Sequence, residues 1–69
     1  MNNLVKIFST AESFKLSLAQ AVLNEAGIEN FDINKQDSAY LMFGNYELYT
    51  RPHLAERAYA LLKEKELIE

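Results

Sequence analysis

Cysteine and tryptophan are missing altogether, and the chain has one proline, one histidine and two glycines in 69 residues. Without cysteine no disulfide can staple the fold, and no thiolate metal site can form. A lone histidine, His53, cannot supply the several ligands that a zinc centre needs, so it reads as an exposed surface residue. Two glycines, Gly27 and Gly44, are too few and too far apart for a phosphate-cradling loop. No apolar run approaches the ~18 residues of a membrane span. The start, Met1 to Lys6, lacks the basic and apolar regions of a secretory signal. Basic residues number 7 against 10 acidic, a net charge of −3, with no basic cluster to displace counterions from a nucleic acid. These absences predict a soluble cytoplasmic protein with no cofactor, no metal, no nucleic-acid partner and no membrane partner.

What is present is apolar material: 49% of the residues are hydrophobic, which fits a folded globule rather than a disordered chain. A single domain, residues 1–69, is expected. A chain this short buries only about 60% of the surface exposed when it is unfolded, so packing, a partner or self-association must make up the difference. Residues 3–8, around Leu4-Val-Lys-Ile-Phe8, have the β-branched, apolar character of a strand. Ser9-Thr-Ala-Glu12 then has the spacing of a capping box, which predicts a helix from Ala11 to Ala26. Gly27 is suited to end it in the left-handed conformation. At 100° per residue, Ala11, Phe14, Leu18, Ala19, Val22, Leu23 and Ala26 share one stripe of that helix, with Lys15 snorkelling from it.

Ile28 to Asn34 alternates, with Phe31 and Ile33 on one side and Asn30, Asp32 and Asn34 on the other, as in a half-buried strand. Tyr46 to Thr50 alternates again, setting Tyr46 and Leu48 against Glu47 and Tyr49. Pro52 suits the first turn of a second helix, whose buried stripe is Leu54, Ala55, Ala58, Leu61 and Leu62, ending near Lys65. Leu67 and Ile68 either extend that helix or add a short fourth strand. The fold class expected is therefore α+β, a ferredoxin-like split β-α-β in the order β-α-β-β-α. A right-handed first unit admits the third strand into the middle, antiparallel to both neighbours, with both helices on one face.

The segments Val5–Thr10 ("VKIFST"), Ala26-Gly-Ile28, Asn34–Tyr49 ("N-x-Q-D-S-x-Y…FG…ELY") and Ala55–Ala58 ("AERA") together resemble a small bacterial family of prokaryotic signal-transducing proteins, a domain of unknown function. The likeness spans nearly the whole chain and is most specific over Gln36-Asp37-Ser38 and Glu47-Leu48-Tyr49. It implies a ferredoxin-like sandwich similar to the fold of the PII nitrogen-signalling proteins, and a signalling role without a defined ligand or reaction. Arg51-Pro52-His53 departs from the pattern, which has a proline followed by acidic residues there.

Two regions are candidate binding sites. In the first, Asn34, Gln36, Asp37 and Ser38 either close a turn through local side-chain to backbone bonds or line a small polar pocket. No histidine adjoins Ser38 and no second carboxylate adjoins Asp37, so no catalytic constellation is visible. The following Tyr40-Leu-Met-Phe43 is expected to fold over the sheet as added core, with Gly44 turning into the third strand. In the second, the sheet face away from the helices is expected to hold Leu4, Lys6, Phe8, Asp32, Glu47 and Tyr49, a mixed aromatic and charged docking surface. The function expected is a non-enzymatic signalling or interaction module for a protein or small effector. The alternative is a structural homodimer formed through an open sheet edge or face.

Overall fold

A computed structural model describes residues 3–34 and 46–68, with the side chain of Asn34 outside the description. The element order is β1 (Val5–Thr10), α1 (Ser13–Glu25), β2 (Asn30–Asn34), β3 (Tyr46–Thr50) and α2 (Pro52–Glu64). The strands form one sheet in the order β1-β3-β2, with β3 antiparallel to both neighbours. This is the expected split β-α-β arrangement. Leu67 and Ile68 form neither a strand nor more helix; they turn back as half-buried residues against the core. No described helix is long and apolar enough to cross a membrane.

The core lies between the sheet and the helices and comprises Ile7, Phe8, Leu16, Ala19, Leu23, Ile28, Leu48, Ala58 and Leu62. Leu48, at the centre of the middle strand, is fully shielded. Ala19 and Ala58 are also at 0% exposure, and their small side chains let both helices approach closely.

Helix α1 begins two residues later than the sequence predicts, and the capping box does not form. Strand pairing wins: β1 continues to Thr10, opposite Tyr46, so Ser9 is held in the ladder opposite Glu47. Glu12 takes the N-cap position without a side-chain cap, and its own N–H donates to the Thr10 hydroxyl at 3.1 Å. The buried line of α1 is Leu16, Ala19 and Leu23, flanked by half-buried Val22 and Ala26. Phe14 and Leu18, expected inside, are 59% and 49% exposed. Apolar residues surround much of this helix, so periodicity alone could not choose which of them face the sheet.

At its far end α1 closes as expected. Gly27 adopts φ 76°, the Ile28 N–H reaches the Leu23 carbonyl at 2.9 Å, and the Gly27 N–H reaches Asn24 at 3.0 Å. These two bonds make a Schellman motif, and buried Leu23 and Ile28 are the apolar pair that accompanies it. Helix α2 ends in the same way, but with Glu66 in the left-handed position at φ 64°. The Leu67 N–H bonds the Leu62 carbonyl at 3.0 Å and the Glu66 N–H bonds Lys63 at 2.9 Å.

Candidate functional site: the sheet face opposite the helices

In an antiparallel ladder, directly opposed residues share a face. Leu48 points into the core, so its partners Phe8 and Asp32 lie on the helix side. Both were expected on the opposite face. For Phe8 the cause is a bulge between Lys6 and Phe8, where the register shifts. An extra residue reverses the alternation, and Phe8 becomes core at 8% exposure.

For β2 the cause is register. Asn30 opposes Thr50, which puts Asn30 and Asp32 on the helix side and Phe31 and Ile33 on the other. A one-residue slip would reverse all four, and contacts at the start of the strand hold this setting. Buried Thr50 donates its hydroxyl to the Glu29 carbonyl. Arg51 Nε donates to Glu29 Oε1 at 3.0 Å, and its guanidinium carbon lies 5.3 Å from the centroid of the Phe31 ring. Asp32 tolerates the helix side because β2 is an edge strand and its carboxylate remains exposed. There Gln20 Nε2 sits 3.4 Å from both Asn30 Oδ1 and Asp32 Oδ1, while Asn30 Nδ2 donates to Asn24 Oδ1 at 2.8 Å and to the Ile28 carbonyl at 2.9 Å.

The face away from the helices is therefore built of two cross-strand rows. Lys6, Tyr49 and Phe31 form one; Ser9, Glu47 and Ile33 form the other. Glu47 anchors them. Tyr49 donates its hydroxyl to Glu47 Oε1 at 2.8 Å, and Lys6 Nζ lies 3.5 Å from Glu47 Oε2. Glu47 is only 8% exposed although it faces away from the helices. The hydrogen bond to Glu47 holds the Tyr49 phenol above its usual range, with burial and the carboxylate charge adding to the effect. The hydrogen bond from Arg51 holds the Glu29 carboxyl below its usual range, against an opposing effect of burial and with smaller help from the charges of Arg51 and His53.

Of the residues expected at this site, Lys6, Glu47 and Tyr49 are brought together here, and Phe8 and Asp32 are not. Sequence reasoning missed Phe31, Ile33, Glu29 and Arg51. The signal for Arg51 was available, since continuing the alternation of Glu47 and Tyr49 by one step reaches it. Asn34 ends β2 opposite Tyr46. Gln36, Asp37 and Ser38, along with Tyr40 to Gly44, lie outside the described residues, as does the choice between turn and pocket for them. His53 is exposed in the first turn of α2. Among the described residues no group of three or more His, Cys, Asp or Glu side chains could hold a metal ion. A shallow concavity lined by Ala26, Arg57, Ala60, Leu61 and Glu64 lies where the end of α1 meets α2.

Comparison with protein-family models, with curated proteins and with solved structures gives no match.

Proposed function

We propose that the chain is a non-enzymatic recognition module that binds a protein or small effector on the sheet face opposite its helices. One observation carries this reading. Lys6, Phe31, Ile33, Glu47 and Tyr49 share a face on which no described element packs, with Ile33 40% exposed and the Lys6 side chain 51% exposed. Two rings beside a fixed carboxylate and a half-exposed cation give a surface with both apolar area and oriented polar groups. Recognition surfaces commonly combine these features. The resemblance noted in the sequence adds the expectation of a signalling role in the bacterial cytoplasm.

The test is a thermal-shift screen over metabolites and nucleotides, with pull-downs from lysate, repeated with Tyr49→Ala and Lys6→Ala. Binding that either variant abolishes while the fold persists supports the reading. Binding insensitive to both places recognition elsewhere, and silence in every assay removes its support. A second reading, self-association through a sheet edge, draws on the outer side of β1, which no described strand covers, although the bulge after Lys6 counts against pairing there. Light scattering decides it, since a monomer at high concentration excludes a dimer.

A further inference from the structure

We propose that the outer edge of β2 accepts an added strand from a partner protein, and that the strand it selects carries a basic residue between two apolar ones. The inference deepens the recognition reading and rests on it.

With β3 in the middle, β1 and β2 each have one side that no described strand occupies. The two edges differ. β1 carries a bulge at Lys6/Phe8 and a lysine beside it, both of which discourage strand addition. β2 pairs with β3 in unbroken register over all five residues, Asn30–Asn34, and contains no proline, glycine or lysine. It is a regular template whose single charged side chain, Asp32, deters an acidic strand or a second copy but not a basic strand.

Its side chains specify the occupant. A strand laid along β2 alternates with the same period of two. One of its residues falls opposite exposed Asp32 on the helix side, and the residues before and after it fall beside Phe31 and Ile33 on the other face. Asp32 calls for a lysine or arginine there, and Phe31 with Ile33 calls for apolar or β-branched neighbours. The chain's net charge of −3 favours approach of a basic segment as well.

A second copy fits poorly. Full-length antiparallel pairing of β2 with itself about a two-fold axis sets Asp32 against Asp32. Sliding the register to avoid that clash leaves three of the five residues paired.

The experiment uses the full chain, labelled with nitrogen-15, and two blocked peptides, Thr-Val-Lys-Val-Thr and Thr-Val-Glu-Val-Thr. The lysine peptide should shift the amides of Asn30–Asn34 and bind about two- to fivefold tighter than the glutamate peptide, the size of one cross-strand charge pair. Asp32→Asn, which keeps an acceptor for Gln20, should erase that preference, and Asp32→Lys should reverse it. N-methylation of alternate residues along the pairing edge of the lysine peptide should abolish binding. The proposal is overturned by β2 amides that do not move at millimolar peptide, by shifts confined to β1, or by a preference unchanged in both Asp32 variants. A dimer paired through β2 also overturns it, by making a second copy the occupant. If an effector or partner binds the Tyr49 face while the β2 amides stay still, the recognition reading survives and strand addition fails.

Discussion

Replacing Glu66 with glycine should make the fold more stable, although Glu66 is exposed at a helix end where surface changes are usually neutral. The reason is backbone geometry. Glu66 occupies the left-handed region at φ 64° so that the Leu67 N–H can reach the Leu62 carbonyl. Holding an L-residue with a Cβ there costs about 1–2 kcal/mol. Glycine removes that cost but loses about 0.5–1 kcal/mol more backbone entropy on folding. The difference is a gain centred on about 0.5–1 kcal/mol, or about 2–8 °C in melting temperature for a domain of this size. Removing a negative charge beside a helix C-terminus adds about a few tenths of a kcal/mol. Urea unfolding of wild type, Glu66→Gly and Glu66→Ala separates the two contributions, because alanine removes the charge and keeps the Cβ. Glycine should exceed alanine by most of the gain. Equal effects in the two variants, or a loss with glycine, would refute the strain argument.

Gly27→Ala should be the mirror case. A Cβ would meet no atom within 4 Å, so the effect is purely conformational: about 1–2 kcal/mol of strain, offset by about 0.5–1 kcal/mol of recovered backbone entropy, for a net loss centred on about 0.5–1 kcal/mol in the same urea titration. Leu48→Ala should cost about 2–5 kcal/mol, which at its upper end leaves about half of the molecules unfolded at room temperature by circular dichroism if total stability is about 5 kcal/mol. The Tyr49 phenol is held above 10.0 by its bond to Glu47, so the stability it contributes is complete below pH 10.0 and disappears as the pH rises through the folded value. Ultraviolet titration should show a late ionisation of Tyr49 that Glu47→Gln brings forward. Glu29, held below 4.5 by Arg51, contributes above that pH and loses its contribution as the pH falls through the folded value. Arg51→Ala should therefore flatten the acid side of the stability profile measured by thermal melts.

The strand and helix order could be read from the sequence because each element carries its own local signal. β3 was the clearest, since its alternation separates Leu48 from Glu47 and Tyr49 without reference to any neighbour. Gly27 announced the end of α1 for the same reason: only glycine adopts that conformation without cost. The faces of β1 and β2 were not legible, because both depend on pairing with a distant strand. A bulge after Lys6 leaves no mark in composition, and it carried Phe8 into the core. On β2 the apolar residues Phe31 and Ile33 were assumed to point inward. That assumption suits a central strand and fails at an edge, where Asn30 and Asp32 can bond to Gln20 and still meet water. The end of α2 near Lys65 was legible, but the left-handed residue beyond it was not, because a glutamate holds the position that glycine holds in α1. At the candidate site, Glu47 and Tyr49 followed from periodicity, whereas Phe31, Glu29 and Arg51 required the register.

Both outer strands hydrogen-bond only to β3 among the described elements, and β3 is the last of the three to be translated. A nascent chain that has reached Asn34 therefore has two strands with nothing to pair with. The sheet can assemble only after Thr50 has left the ribosome, when both ladders become available at once. Folding should accordingly be all-or-none, with no stable half-sheet for proteases or chaperones to encounter.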